Sequence, residues 1–236
     1  MKQTPKVVGV ISSAHRNGNT AALVREALGG AAAAGATVEE IFLPQLRIEY
    51  CNGCFHCISA GECPIGDDFA AVQSALYEAD GIILGSPTYA GSFNAVMQTL
   101  FERLGMYERL TSSLGGKYLA GVSSCSGMGA AAVARRMVRL MSGGIFGRGY
   151  ESGTLGVPLR GREAAALPKP LRRARNLGGK LVRDIRRGRR FPLQNLAGRL
   201  VSRWILRPNF RRFILSNRDG GMKAVYQNLN RRGLLP

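Results

Sequence analysis

The sequence predicts an α/β fold in which a parallel sheet is covered by helices on both faces. Nearly continuous apolar runs, such as the one from Val7 to Ser12, recur along the chain as far as residue 157. Helical stretches rich in alanine and leucine separate them. Strands that are buried on both faces have such continuous runs, whereas strands with one wet face alternate in polarity. With 236 residues, 45% of them hydrophobic, the chain is long enough to bury this core.

The predicted elements follow one another in a regular order. A buried strand over residues 7–12 leads through a polar loop into a helix that begins at Thr20 and ends near residue 34. Further strands are predicted at 37–43, 81–86, 119–123 and within 149–157, and further helices at 68–79, 94–104 and about 130–140, with a loop over 87–93. Ligands of parallel sheets bind beyond the carboxyl ends of the strands. The loops after strands one, three and four are therefore the candidate site.

The distribution of charge indicates a boundary near residue 160. Residues 1–159 carry twelve basic and twelve acidic side chains, so the whole net charge of +18 lies in the remainder. We therefore expect an α/β domain over residues 1–160 and a basic, mainly helical C-terminal extension over residues 161–236.

Composition also excludes some classes of protein. The chain contains no run of about 18 apolar residues, the length that a membrane-spanning helix needs. The N-terminus lacks the apolar segment and small-residue cleavage site of a signal peptide. We therefore expect a cytoplasmic protein, with peripheral membrane contact open because of the basic extension.

The loop after the first strand has the residues that an anion-binding site needs. Ser13, Asn19 and Thr20 supply polar side chains, and the helix N-terminus supplies backbone N–H groups and a favourable dipole. His15 and Arg16 could add positive charge. The glycine patterns typical of dinucleotide and nucleotide triphosphate sites are absent. The alternative is a plain turn in which Asn19 or Thr20 caps the helix.

Taken together, this loop and residues 85–93 resemble the NADPH-dependent FMN reductase family of flavodoxin-like proteins. The resemblance covers roughly residues 6–140. It implies a flavodoxin-like three-layer sandwich with five parallel strands in the order 2-1-3-4-5. It also implies that Ser13, Arg16, Asn19 and Thr20 hold the FMN phosphate, with His15 standing where relatives usually have arginine.

Two further loops are expected at the flavin ring. The turn after strand three is stiffened by proline and has small residues, so its backbone N–H groups can approach the ring edge and tune its potential. The loop after strand four can close over the ring. The residues assigned to the ring are Pro87, Thr88, Tyr89, Ala90, Gly91, Phe93, Ser124, Gly127 and Gly129. The alternative is a stiffened strand end with Tyr89 buried in the core.

Four cysteines lie within thirteen residues, in the pattern C-x2-C-x2-C-x5-C-P. The spacing is close to that of bacterial ferredoxins, and it resembles the iron–sulfur flavoprotein branch of the same family. That resemblance implies a [4Fe–4S] cluster, and zinc or free redox-active thiols are the alternatives. The candidate ligands are Cys51, Cys54, Cys57 and Cys63. The fifth cysteine, Cys125, is expected to be a small buried residue.

The basic extension predicts an amphipathic helix from residue 193 to residue 207, ended by Pro208. Three uses are open for it: packing on the domain or in a homo-oligomer, contact with an anionic membrane, or binding of an acidic partner. No motif of the known nucleic-acid-binding classes appears. Its apolar face comprises Leu193, Leu196, Leu200, Val201, Trp204 and Ile205.

These observations together predict an FMN-dependent oxidoreductase. NAD(P)H would reduce FMN, and electrons would pass to a small-molecule or protein acceptor, directly or through the cluster. Hydride transfer needs no protein acid or base, so no catalytic side chain is named. One alternative is an electron carrier that takes electrons from ferredoxin. The other is a membrane- or polyanion-binding protein with a vestigial flavin domain.

Overall fold

Five parallel strands form the central sheet of the computed structural model, which describes residues 4–235. The strands in chain order are β1 (Lys6–Ile11), β2 (Thr37–Phe42), β3 (Gly81–Tyr89), a short β4 (Ser92–Phe93), β5 (Tyr118–Cys125) and β6 (Tyr150–Pro158). The parallel strands lie in the order β2-β1-β3-β5-β6, and β4 pairs with β3 alone. The predicted flavodoxin-like order is therefore confirmed, and the sheet has one short antiparallel strand in addition.

The prediction of a loop over residues 87–93 is wrong in part. β3 continues to Tyr89 and pairs antiparallel with β4, so that Tyr89 faces Ser92. Ala90 and Gly91 form the two-residue turn between them, with φ values of 47° and 76°. Positive φ at both central positions matches the twist of a hairpin. An alanine in this conformation is uncommon, so the hairpin had no clear signal in the sequence.

Helices cover both faces of the sheet. In chain order, the α-helices of residues 4–235 are α1 (Asn19–Ala33), α2 (His56–Ala60), α3 (Phe69–Glu78), α4 (Ala95–Thr111), α5 (Ala130–Ser142), α6 (Pro168–Arg186), α7 (Leu196–Val201), α8 (Arg207–Ser216) and α9 (Lys223–Arg231). α1 and α6 bury one face, while α3, α4 and α5 bury the other. α4 does not end at residue 104 as predicted. Gly105 takes a non-helical conformation, and the helix resumes beyond this kink.

The backbones of α1 and α6 are in direct contact through glycines. A Cβ atom at Gly30 would lie 1.9 Å from the carbonyl oxygen of Arg175, and one at Gly178 would lie 1.7 Å from that of Ala27. Only glycine permits this approach. α6 therefore completes the helical layer over the sheet, although the composition boundary falls before it. The division into domains at residue 160 stays a prediction.

The last two helices of the extension, α8 and α9, contribute to a third, smaller apolar cluster at the end of α4. Ile214 of α8 and Val225 and Leu229 of α9 pack there with Ile58 of α2 and Leu110 of α4. The extension thus contacts the helix that contains Cys57. Within residues 4–235, no helix has the length and apolar character that crossing a bilayer requires.

Pro208 does not end the amphipathic helix, contrary to the prediction. A π-helical segment, Ser202–Leu206, joins α7 directly to α8, and Pro208 lies in the first turn of α8. Val201, Leu206 and Arg207 all have helical φ and ψ angles, so the helix continues through Pro208. The π-helical segment before it interrupts the regular i to i−4 bonds, one of which proline cannot make. The predicted apolar face is exposed along its whole length. It does not pack on the domain.

Glu108 of α4 gives the fold a pH-dependent stability. Burial raises the pKa of its carboxyl group to about 7, although the N–H of Leu114 (2.9 Å) and the hydroxyl of Tyr77 lower it. An unfolded glutamate titrates near 4.5. Between pH 4.5 and about pH 7, Glu108 is protonated in the folded state and ionised in the unfolded state. The free energy of unfolding therefore falls as the pH rises. We expect this group to lower the free energy of unfolding by about 2–3 kcal/mol between pH 5 and pH 8.

Denaturant unfolding at both pH values checks this expectation. Glu108→Gln should remove this part of the pH dependence, whereas Glu102→Gln, on the exposed side of the same helix, should leave it unchanged. Superimposable pH profiles for the wild type and Glu108→Gln would contradict the assignment.

Candidate functional site

Three loops meet at the carboxyl edge of the sheet. The loop after β1 comprises residues 12–18, and the loop after β5 comprises residues 126–129. The third segment is the end of β3 with the turn at residues 90–91. The strands are neighbours in register, with Ile11 opposite Gly85 and Pro87 opposite Ser124. The sheet therefore brings together the three segments that the sequence predicted as the site.

The first turn of α1 is open to an anion. Gly18 precedes the helix, no side chain caps it, and the first turn contains no acidic residue. A Cβ atom at Gly18 would lie 2.9 Å from the Cβ of His15, so the turn is too tight for another residue. Ser13 is buried beside this turn. Backbone N–H groups and a helix dipole without a local carboxylate favour a bound phosphate.

Hydroxyl groups connect the loops across the sheet edge. Thr20, which is 2% exposed, shares a 2.8 Å hydrogen bond with the hydroxyl of Ser124. Thr88 shares a 2.9 Å hydrogen bond with Ser123 on the adjacent strand. Thr20, Thr88 and Ser124 were predicted as site residues, and the structure places them in two hydroxyl pairs at the carboxyl edge of the sheet.

Buried hydrogen bonds of Asn94 link the loop after β1 to the end of β3. Its side-chain Nδ2 donates to the carbonyl oxygen of Ser12 (2.6 Å), and its backbone N–H donates to the hydroxyl of Ser86 (3.0 Å). Its Oδ1 accepts from the N–H of Met97 and so caps α4. All three groups of Asn94 are used in a buried environment. In the sequence, Asn94 was recognisable only as the start of a helix, and that capping position was the one available signal.

Other residues predicted for the phosphate loop point elsewhere. The Arg16 guanidinium donates to Gln45 and lies 5.5 Å from the centre of the Phe42 ring, beyond β2. The side-chain Oδ1 of Asn19 accepts from the N–H of Ala164 at 2.6 Å. His15 is exposed. Of the predicted phosphate contacts, Ser13 and Thr20 are buried at the first turn of α1.

The predicted ring residues divide into two groups. Ala90, Gly91, Gly127 and Gly129 lie at exposed tips, and Tyr89 is 54% exposed, so the alternative that buries Tyr89 in the core is wrong. Pro87 and Phe93 are buried, and the Phe93 ring packs edge-on against Phe101 at 5.1 Å. Met128, 90% exposed on the loop after β5, is a further surface residue that the sequence analysis did not assign.

The four clustered cysteines lie near one another at the surface. Cys51 and Cys54 are exposed, whereas Cys57 and Cys63 are half-buried. Burial raises the pKa of the Cys57 thiol, and the charges of the other three thiols raise it further. Within the described part of the chain, no three His, Cys, Asp or Glu side chains are arranged to hold a single metal ion. Cys125 is buried in β5, as expected.

A buried ion pair supports the cysteine loop. Arg103 donates to both carboxylate oxygens of Asp67 (2.5 and 3.0 Å) and to the carbonyl oxygen of Glu49 (2.8 Å), and both charged side chains are inaccessible to solvent. Burial opposes ionisation of Asp67, but Arg103 and two backbone N–H groups outweigh it and hold its pKa below the usual range. The Nε atom of Arg103 is buried without a partner. Burial alone would lower the pKa of Arg103, but Asp67 and the nearby Cys63 outweigh burial and raise it.

Comparison with known proteins identifies the family. The sequence profile described as NADPH-dependent FMN reductase matches residues 5–151. The chain belongs to the NADPH-dependent FMN reductase family. The resemblance seen in the two loop motifs is therefore confirmed, and members of this family are flavodoxin-like, FMN-binding oxidoreductases.

Curated relatives are named iron–sulfur flavoproteins. One from Methanocaldococcus jannaschii is 40% identical over 125 residues, which is 52% of this chain and 65% of that protein. The match thus spans just under two thirds of that relative's length. Another from Archaeoglobus fulgidus is 31% identical over 179 residues, covering 75% of this chain and 79% of the relative.

Solved structures show the same fold at low sequence identity. A flavone reductase superposes with a TM-score of 0.61 at 18% identity, covering 77% of this chain and 63% of that one. An NAD(P)H:quinone oxidoreductase from Methanothermobacter marburgensis superposes with a TM-score of 0.58 at 16% identity, covering 76% and 98%. These similarities support the fold alone.

Removing the side chain of Asn94 should lower both the stability of the fold and its affinity for FMN. We expect Asn94→Ala to lower the free energy of unfolding by about 2–4 kcal/mol, because a helix cap and buried hydrogen bonds are lost. FMN affinity should fall by about tenfold or more, equivalent to at least 1.4 kcal/mol, since the loops after β1 and β3 lose their common anchor. Denaturant unfolding and fluorescence titration with FMN measure the two effects.

The matched control is Gln98→Ala, on the exposed side of the same helix. It should change neither quantity appreciably. If Asn94→Ala binds FMN as tightly as Gln98→Ala does, Asn94 does not organise the site.

Proposed function

We propose that this protein is an FMN-dependent oxidoreductase that takes electrons from NAD(P)H and passes them onward through a [4Fe–4S] cluster on the cysteine loop. The observation that carries the proposal is the convergence of three loops at the carboxyl edge of the sheet. There an uncapped helix N-terminus lies beside hydroxyl groups tied together by the hydrogen bond between Thr20 and Ser124.

The phosphate end of FMN fits the loop after β1. The open first turn of α1, the close turn at Gly18 and the buried hydroxyls of Ser13 and Thr20 provide donors and no carboxylate. Ser124 adds a hydroxyl from the neighbouring loop. Asn19 lies in the same turn, with its Oδ1 engaged by Ala164, so its Nδ2 is the group that would serve as a donor.

The ring end of FMN fits the hairpin after β3. Flavin chemistry supplies hydride acceptance from a nicotinamide and transfer of electrons one or two at a time. Thr88, Tyr89, Ala90 and Gly91 present backbone groups at an exposed, rigid turn. Asn94 fixes this hairpin relative to the phosphate loop. The residues of this chain thus bind and orient the cofactor, and none has to transfer a proton.

The cysteine loop supplies the four thiols that a [4Fe–4S] cluster needs. A [4Fe–4S] cluster takes one thiolate per iron, so its four ligands surround a larger core than the ligands of one zinc ion do. Here the charges of Cys63, Cys51 and Cys54 all raise the pKa of Cys57, so the four thiols are neighbours. Arg103 lies near Cys63 and has a buried Nε without a partner, so it would supply positive charge near an anionic cluster. The cluster would supply single-electron transfer at the surface.

The exposure of Cys51 and Cys54 favours a second candidate function. A cluster at that position could exchange electrons with a ferredoxin-type protein, and the chain would then be a carrier rather than an NAD(P)H reductase. Purification without air, followed by reduction with NADPH, NADH or reduced ferredoxin, separates the two functions. Flavin bleaching by a nicotinamide supports the reductase, whereas bleaching by ferredoxin alone supports the carrier.

Thr20→Val tests the FMN site directly. Loss of one hydrogen bond to a charged phosphate costs about 1.5–3 kcal/mol, so we expect FMN affinity to fall by about 10- to 100-fold. Equilibrium titration of the apoprotein measures the change. Thr37→Val, at the opposite edge of the sheet, is the matched control and should bind FMN normally. Equal affinities for the two variants, or a wild-type chain that takes up no FMN, would contradict the proposed site.

Cys57→Ser tests the cluster. We expect it to lose most of its iron and acid-labile sulfide and the broad visible absorption of the cluster, while FMN remains bound, because a [4Fe–4S] cluster needs four thiolates. Cys125→Ser changes a cysteine of β5 outside the loop and should keep the wild-type iron content. Stoichiometric iron in Cys57→Ser, or none in the anaerobic wild type, would overturn this assignment.

A further inference from the structure

A pocket lined by arginines lies at the edge of the sheet opposite the flavin loops. Its volume is about 420 Å³. One wall is the beginning of β6, near Arg148 and Tyr150, and the other is the segment from Arg190 to Arg207. Because the parallel strands begin at this edge, the pocket is separate from the site at their carboxyl ends.

The positive charge of this pocket is not neutralised by the protein. Among residues 4–235, none of its five arginines lies within ion-pair distance of a carboxylate, although Glu151 also lines the pocket. The described hydrogen-bond partners are neutral. Arg207 donates to the carbonyl oxygen of Ile145, and Arg199 donates to that of Pro192. The five are Arg148, Arg190, Arg199, Arg203 and Arg207.

The arginines also repel one another. The pKa of Arg207 is lowered, first by burial and then by the charges of Arg203 and Arg199. Burial likewise lowers the pKa of Arg148, with Arg199 adding to the effect and Glu151 opposing it. A bound anion would relieve this repulsion, and guanidinium groups recognise phosphate by paired hydrogen bonds.

An exposed apolar row borders the pocket. Leu196 and Leu200 line its rim, and Trp204, 71% exposed, continues the row along the same helical segment. From residue 185 to residue 218 the chain has ten arginines and neither aspartate, glutamate nor lysine. Such a surface matches the headgroup and acyl boundary of an anionic bilayer, where tryptophan, leucine and arginine are all favourable. A small soluble anion would leave the row uncovered.

A second copy of this chain matches the surface poorly. A two-fold interface would place the same patch on both subunits, so it would bring two sets of unneutralised arginines together. We propose that this face docks on an anionic phospholipid membrane, with a lipid phosphate in the arginine pocket and Leu200 and Trp204 at the acyl boundary. This inference is independent of the flavin chemistry proposed above.

Trp204 is the one tryptophan of the chain, so its fluorescence reports directly on this face. The test mixes the full-length, flavin-loaded protein with vesicles of phosphatidylcholine alone, or with about one third phosphatidylglycerol. We expect a blue shift of the emission and co-flotation with the anionic vesicles only. Arg199→Gln combined with Arg203→Gln should weaken binding by about 25-fold, or fivefold for each arginine.

Arg172→Gln combined with Arg173→Gln is the matched control, because it removes the same charge from the exposed side of α6. It should weaken binding by less than about fivefold, the effect of one surface arginine. Equal losses in the two double variants would overturn the proposal, as would unchanged Trp204 emission or equal binding to neutral vesicles. A shift produced by glycerol phosphate but not by vesicles would overturn it too, in favour of a soluble phosphate ligand. Bound flavin, measured for every variant, confirms folding.

Discussion

The site depends on one buried side chain, Asn94, which joins loops that are 82 residues apart in sequence. Adjacent parallel strands set the spacing of Ser12 and Gly85 at the same edge, but the loops beyond these residues need a further constraint. Asn94 supplies that constraint by bonding to the backbone of Ser12 and the hydroxyl of Ser86 while capping α4. The open turn of α1 and the hairpin after β3 therefore have a fixed relation before any cofactor binds. Such preorganisation lowers the ordering cost of binding.

Much of the fold was predictable because its signals are local. Continuous apolar strands and glycine-bearing loops indicated the parallel sheet, and paired loop motifs indicated the family. Features that depend on distant contacts were missed. The bond between Asn94 and Ser12 leaves no local pattern, and the turn at Ala90 uses a conformation that alanine rarely adopts. Pro208 lies within a helix because a π-helical segment precedes it. Directions of side chains, such as that of Arg16 toward Phe42, are likewise set by tertiary packing.

The chain places two kinds of chemistry at opposite edges of one sheet. The carboxyl edge has hydroxyls, tight turns and an uncapped helix, whereas the amino edge of β6 faces unneutralised arginines. α6 connects the two by packing on α1 through Gly30 and Gly178, so the basic extension is continuous with the core of the fold. The cysteine loop lies between the core and the extension, supported by the buried pair of Asp67 and Arg103.

Amide hydrogen exchange, measured with and without FMN, reports on each loop separately. It therefore tests whether the three loops form one flavin site. We expect FMN to slow exchange in three segments together, near residues 12–20, 86–91 and 123–129, while exchange at the amino edge of the sheet is unchanged. Protection in only one of these segments, or protection elsewhere in the chain, would contradict the claim that the three loops form a single flavin site.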